Sequence, residues 1–209
     1  MYKFLILICL VSIALGVPVN RLQYIDHYDR PMTGYLDWCN TRINEGYSIG
    51  RAFQYAMNDR DPMVNLVVNA QIYASIYDSM MVYINDIIAE GYAVRVDTVR
   101  GWDAVSLRGH LAALIDSQLV GAVLIGNVPI AWYEMESSEG REEFPIDLYF
   151  MDLNGTWTDS DANGLYDAHS GNKAPEIWVG RLYASSMTWS NEIFLLNNYF
   201  SKTHRYRTV

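Results

Sequence analysis

Cysteine is almost absent from this sequence, since Cys9 and Cys39 are the only two among 209 residues. Cys9 lies in an apolar run near the start that we interpret below as part of a removable secretion signal. Its removal leaves Cys39 alone, which excludes a disulfide framework. In the segment YLDWCNTRI no His stands beside Cys39, so we expect a small, buried apolar residue rather than a nucleophile.

Positive charge is scarce as well, because 15 Lys and Arg oppose 24 Asp and Glu and leave a net charge of -9. No nucleic-acid partner is expected, since phosphate binding needs clustered Lys and Arg. The stretch VLIGNVPIA lacks both G-x-G-x-x-G and a following Lys-Ser or Lys-Thr, which argues against a nucleotide site. The four histidines show no zinc-like spacing to another His, Cys or Glu, and we expect His110 at a helix surface.

The first 20 residues, MYKFLILICLVSIALGVPVN, contain an apolar run too short to span a bilayer comfortably. Lys3 gives a positive start, residues 4–15 form the apolar run, and Ala14 and Gly16 are the small residues that a signal peptidase needs. We predict a signal peptide over residues 1–16, with an uncleaved anchor as the alternative. The mature protein is then expected to be secreted or at the cell surface, with no membrane span.

After the signal, the sequence divides into a lead-in and a domain. Residues 17–61 form a polar and aromatic lead-in, where we expect one or two short helices broken at Gly46 and Gly50. Residues 62–209 are predicted to form the domain, which begins just after the Asp61-Pro62 pair.

The predicted domain alternates between strand and helix patterns. Compact β-branched or alternating runs predict strands at 63–70, 92–99, 121–127 and 176–182. Apolar residues at helical spacing predict helices at 71–91, 104–119 and 190–206. This order predicts an α/β fold, a three-layer sandwich with helices on both faces of a mostly parallel sheet. Ligand and catalytic loops of such sheets gather at the carboxyl ends of the strands.

The segment DSDANGLYD matches the first nine positions of a calcium loop, D-x-[DN]-x-[DN]-G. Gly164 allows the tight turn at the sixth position, whereas Ser170 stands where an EF-hand has a bidentate Glu, so a stand-alone loop is predicted. The alternative is a polar turn that binds nothing. Asp152 and Asn154 either add oxygens or form the preceding turn. The predicted calcium ligands are the side chains of Asp159, Asp161, Asn163 and Asp167 and the carbonyl of Leu165.

Several linked blocks make the chain similar to the gingipain-type family of secreted cysteine peptidases. The blocks are IGN at 125–127, PIDLYF at 145–150 and PEIWVGRL at 175–182, with the Asp-rich segment between the last two. The upstream strand, helix and strand also resemble the start of that family's domain. The resemblance covers roughly residues 63–206, and the ordered blocks are far more specific together than singly.

The resemblance implies a caspase-like fold, an extracellular endopeptidase with a Cys–His dyad, structural calcium, and a protein or peptide substrate. It places Asp147 near the substrate cleft. In the family, the catalytic His of a His-Gly turn and the catalytic Cys follow later strands, but this sequence has no His-Gly and Cys39 precedes the predicted domain. We therefore expect an incomplete, inactive N-terminal half of the peptidase domain. The alternative is a non-catalytic, calcium-stabilised extracellular binding module.

Overall fold

The computed structural model describes residues 33–42, 46–56, 58, 60–138, 140–185, 187 and 189–208. The predicted signal peptide, Cys9 and His27 lie outside these residues. None of the described helices combines the length and the apolar character that crossing a membrane would require.

The described elements begin with a short helix and a strand in the lead-in. The helices are α1 Tyr35–Asn40, α2 Tyr73–Ala89, α3 Ala104–Ala113, α4 Leu148–Met151 and α5 Glu192–Thr208. The strands are β1 Ser48–Tyr55, β2 Met63–Asn69, β3 Ala93–Arg100, β4 Leu119–Ile125, β5 Trp132–Ser137, β6 Gly140–Pro145, β7 Thr156–Thr158, β8 Ala168–Ser170 and β9 Trp178–Leu182.

Five strands form one sheet in the order β1-β3-β2-β4-β9. β2 pairs in parallel with β3 on one side and with β4 on the other, and β9 pairs in parallel with β4. The prediction of an α/β fold with a mostly parallel sheet is therefore confirmed, and all four predicted strands belong to this sheet. Two small hairpins, β5–β6 and β7–β8, are inserted between β4 and β9.

The lead-in contributes a strand that the sequence did not predict. A short helix is present at α1, but the stretch around Gly50 forms β1, which pairs antiparallel with β3. The prediction of helix in this stretch was wrong because pairing with the exposed edge of β3 overrides weak local preferences. The compact unit that holds the sheet begins at Gly34.

Helices cover both faces of the sheet. Alternate residues of β2 point to opposite faces, so Met63 and Val67 pack with Leu107 and Leu111 of α3, while the other apolar residues of the strand pack with α2 and α5. Side chains such as Leu66 and Val67 are fully buried. Each fully buried Val or Leu contributes roughly 1.5–3 kcal/mol, and the sheet is stable mainly for that reason.

One buried carboxylate lies beneath α3. Asp97 of β3 is fully buried and accepts hydrogen bonds from Asn65 Nδ2 at 2.6 Å and Arg95 Nε at 2.7 Å. His110 Nε2 lies 2.9 Å from the same carboxylate, so His110 faces the sheet and the expected surface position was wrong. Burial raises the pKa of Asp97, but hydrogen bonds from His110, Arg95 and Asn65 outweigh it and lower the pKa to about 2.

Replacement of this carboxylate should remove its contribution to the loss of stability in acid. Because the folded-state pKa lies below the ordinary value of 3.8, the charge stabilises the fold above pH ~4 and that contribution is lost as the pH falls towards about 2. Asp97→Asn should lower the free energy of unfolding at pH 7 by about 2 kcal/mol and remove this pH dependence. Urea unfolding at several pH values measures both effects.

The matched control is Asp116→Asn, an exposed carboxylate in the short turn of 3-10 helix after α3. It should change the stability by less than about 0.5 kcal/mol. An Asp97→Asn protein with the acid dependence of the wild type would contradict this account.

Candidate functional site

The strand order creates a switch point at the carboxyl edge of the sheet. Along the chain the parallel strands follow one another as β2, β3, β4 and β9, but β3 and β4 lie on opposite sides of β2. In open α/β sheets, ligands bind in the crevice that such a reversal leaves beyond the carboxyl ends of the strands. Here Asn69 ends β2, and Asn127 lies two residues past the end of β4. The crevice between them is therefore a candidate ligand site.

Hydrogen bonds fix the two asparagines at this crevice. Asn69 Nδ2 donates to the Asn127 carbonyl at 2.5 Å, and Asn69 Oδ1 accepts from the Gln71 amide at 2.7 Å. Gly126 makes the close approach possible, because its φ of 78° suits glycine and a Cβ there would overlap Ile72. The crevice is thus built from backbone and amide groups in defined positions.

Arg42, just after α1, lies at this crevice. Its guanidinium lies 4.7 Å from the Trp38 ring centroid and 4.3 Å from that of Trp102. Its Nη1 donates to Asn127 Oδ1 at 2.8 Å. No sequence pattern predicts this role, because Arg42 lies in the lead-in and meets Asn127 only through the fold.

The three blocks of the family resemblance meet at the end of β9. There the Leu182 carbonyl accepts a hydrogen bond from the Gly126 amide of the first block at 2.8 Å, and Arg181 bonds Asp147 of the second block. Arg181 Nη2 donates to Asp147 Oδ1 at 2.7 Å, and Nε donates to Oδ2 at 3.0 Å. Nη2 also donates to the carbonyl of Pro129, two residues past the first block, at 3.0 Å. Asp147 is therefore placed at the carboxyl edge, half-buried, with its charge balanced by Arg181.

Two of the predicted calcium ligands lie together with a third carboxylate that the sequence reading did not include. Oxygens of Glu134, Asp161 and Asp167 all lie within 4.8 Å of one another. Calcium binds oxygens at 2.3–2.6 Å, so two ligands of one ion lie at most about 5 Å apart, and the three carboxylates fit one ion. Glu134 also forms an ion pair with Arg141. Its place on β5, far from the loop in sequence, explains why the local motif missed it.

The other predicted ligands form hydrogen bonds within the loop. Asp159 Oδ1 accepts from the Asn163 amide at 3.1 Å, and Asp159 Oδ2 accepts from the Gly164 amide at 2.9 Å. Asn163 Oδ1 accepts from the amide of Leu165, whose side chain is buried. Gly164 has the φ of 93° that a tight turn requires. The five-ligand set stays a prediction.

Asp152 and Asn154, which precede this loop in the sequence, stabilise a turn and do not join the acidic cluster. Asp152 is buried, accepts from the Gly155 amide at 2.6 Å and bonds His169 Nε2 at 2.5 Å. His169 in turn stacks on Trp157 at 3.9 Å. Asn154 hydrogen-bonds Glu176. Of the two interpretations offered for Asp152 and Asn154, the turn is the one that these contacts support.

No thiol–imidazole pair occurs in the described part of the chain. Each histidine there is bonded to an aspartate, as in His110–Asp97, His169–Asp152 and His204–Asp86. Cys39 is a free thiol on α1 and is only partly buried, whereas the sequence predicted a buried residue. The described residues therefore provide a polar edge of the sheet but not a cysteine-peptidase dyad.

Comparisons with protein-family models, curated proteins and solved structures found no match to this chain.

The contacts of Arg181 require a guanidinium, and this can be tested. A lysine in its place cannot donate two parallel hydrogen bonds to Asp147 and also reach the Pro129 carbonyl. Arg181→Lys should therefore lower the free energy of unfolding by roughly 1–3 kcal/mol in urea titrations. Arg205→Lys, at an exposed position of α5, is the control and should unfold like the wild type. Equal stability of the two variants would show that a positive charge at position 181 is enough and that the guanidinium geometry is not required.

Proposed function

We propose that this chain is the first half of the catalytic domain of a secreted, gingipain-like cysteine endopeptidase with a caspase-like fold. The observation that carries the proposal is that the three sequence blocks that resemble the family meet at the end of β9, through Arg181 and Leu182. Blocks that match a family only in sequence have no reason to meet in space, whereas blocks that build one cleft do.

The carboxyl edge of the sheet supplies the cleft in this proposal. It carries Asp147, the end of β2 at Asn69 and the turn after β4, which is where an open parallel sheet binds its ligands. Arg181 holds the Asp147 carboxylate in one orientation through two hydrogen bonds. A protein or peptide substrate would lie along this edge.

The nucleophile and the base are assigned to residues other than those described here. A catalytic thiol needs an imidazole within hydrogen-bond reach, but among the described residues no hydrogen bond joins Cys39 to a histidine. Cys39 is therefore not the proposed nucleophile. In the family resemblance the dyad follows later strands, and the 209-residue chain alone is expected to be inactive.

Calcium is proposed as a structural ion of the acidic loop. Glu134, Asp161 and Asp167 would hold it, and together they supply hard oxygen ligands of the kind that calcium prefers. When bound, the ion supplies positive charge that offsets the repulsion among the three carboxylates. It would thereby connect β5 to the loop between β7 and β8.

The same observations support a second candidate, a calcium-stabilised extracellular binding module without catalysis. The specific observation in its favour is the acidic cluster together with the absence of a thiol–imidazole pair among the described residues. The two candidates share the calcium loop and differ in whether the gene encodes a dyad.

Calcium should raise the thermal stability of the chain. At a concentration about tenfold above the dissociation constant, the free energy of unfolding should rise by about 1.4 kcal/mol, and scanning calorimetry with calcium or with chelator measures the shift. Asp161→Ala should abolish the shift, because Asp161 belongs both to the ligands predicted from the loop motif and to the carboxylate cluster of the structure. Glu134→Gln should also abolish it, although the loop motif alone does not include Glu134.

Asp78→Ala is the control for these variants, because Asp78 is exposed on α2 and away from the loop. It should keep the full calcium shift. Identical melting curves of the wild type with calcium and with chelator would show that the loop is a polar turn that does not bind calcium.

Peptidase activity should appear only in the product of the complete reading frame. The 209-residue chain should not cleave casein, whereas the longer product should cleave it and lose activity after alkylation by iodoacetamide. Cys39→Ala in the longer product should retain both the activity and its sensitivity to alkylation. A reading frame with no later His-Gly and Cys, or activity that depends on Cys39, would overturn the proposal.

A further inference from the structure

The crevice at the switch point has a charge opposite to that of the protein as a whole. The chain carries a net charge of -9, yet the crevice is lined by two arginines, amide side chains and a threonine, with no Asp or Glu. Its volume is about 140 Å³, which suits a small group such as a carboxylate and is too small for a nucleotide. Its charge and size therefore indicate an anionic group.

Arg42 has donor capacity that the protein does not use. Its Nε is buried and has no hydrogen-bond partner within the described residues. The rings of Trp38 and Trp102 hold the guanidinium plane in place, so little side-chain entropy remains to be lost on binding. Arg100 lines the same crevice, is exposed, and forms no side-chain hydrogen bond or ion pair with the described residues.

A larger, aromatic chamber adjoins the crevice. Its volume is about 470 Å³, within the range of small-molecule sites, and it shares Arg42 and Trp102 with the crevice. The indole Nε1 groups of Trp38 and Trp132, two of its lining residues, are buried and have no partner in the part of the chain that the structure describes. Such donors match a ligand that carries acceptor oxygens next to its apolar part.

One carboxylate, Asp159, also lines the chamber. Its two oxygens already accept hydrogen bonds from the amides of Asn163 and Gly164. The other polar groups of the chamber are Arg42, the Tyr35 and Tyr166 hydroxyls and the Cys39 thiol, and the rest of its lining is aromatic or apolar. The chamber therefore contains no second carboxylate that would repel a carboxylate ligand.

We propose that the crevice and the chamber together bind a ligand with one carboxylate and one adjoining aromatic group. The carboxylate lies between Arg42 and Arg100 in the crevice, and the aromatic group stacks among the tryptophans of the chamber. A free aromatic acid and the C-terminal residue of a peptide share this chemistry. The inference rests on the cavities and not on the proposed peptidase function.

Binding of N-acetyl-L-phenylalanine and of its amide to the 209-residue chain tests the proposal. Titration calorimetry, supported by tryptophan fluorescence excited at 295 nm, should show that the acid binds at least about tenfold more tightly than the amide, because only the acid forms charge-assisted hydrogen bonds. Equal binding of the two, or no binding of either, would overturn the proposal.

Two arginine variants locate the site. Arg42→Gln should abolish binding, and Arg100→Gln should weaken it by about tenfold. Arg100 has no structural partner among the described residues, so Arg100→Gln should melt like the wild type and remains informative even if Arg42→Gln unfolds. Arg205→Gln, the same charge change at an exposed site on α5, should bind like the wild type. Unchanged affinity in Arg100→Gln and in a folded Arg42→Gln would contradict the assignment.

Further probes distinguish the sources of the carboxylate and test the need for the aromatic group. Tighter binding of acetyl-Ala-Ala-Phe with a free C-terminus than of 3-phenylpropionate would support the proposal and identify peptide C-termini. The reverse order would support it with a free aromatic acid as the ligand. Inorganic phosphate that binds as tightly as N-acetyl-L-phenylalanine would overturn the proposal, because the aromatic chamber would then contribute nothing.

Discussion

The burial of β2 is the constraint on which the rest of the structure depends. All seven of its residues are buried, because strands pair with both of its edges and helices cover both of its faces. Such a strand keeps polar side chains in its interior only if they are hydrogen-bonded, as Asn65 is to Asp97. Its other asparagine, Asn69, lies at the carboxyl end, where it reaches the turn after β4 and forms one wall of the crevice.

The arginine contacts of both candidate sites therefore lie at the carboxyl edge of the sheet. Arg181 joins β9 to Asp147 and to the segment after β4, while Arg42 joins the lead-in helix to Asn127. Both are arginines in contact with several partners, and a planar guanidinium serves this role better than an ammonium group. The acidic loop lies on the hairpins inserted before β9, where an ion would act on local stability rather than on the sheet.

The sequence predicted the parallel strands and the helices between them because each is a continuous apolar or periodic run. It did not predict β1, since a segment such as GRAFQYA carries no clear period and becomes a strand only against the edge of β3. The small hairpins were missed for the same reason. The acidic loop was visible as a motif, but Glu134, the third carboxylate of the cluster, comes from another strand.

By itself, the sequence determined the class of fold, the four parallel strands and the helices between them, because these depend on local periodicity and on residue order. Only the tertiary structure decided which distant residues meet. Packing of helices and loops against the sheet brought Arg181 to Asp147, His110 to the buried Asp97, and Arg42 between two tryptophans beside Asn127. The hydrogen bonds among these contacts join residues 13 to 85 positions apart, and no short-range pattern in a single sequence encodes a contact over such a separation.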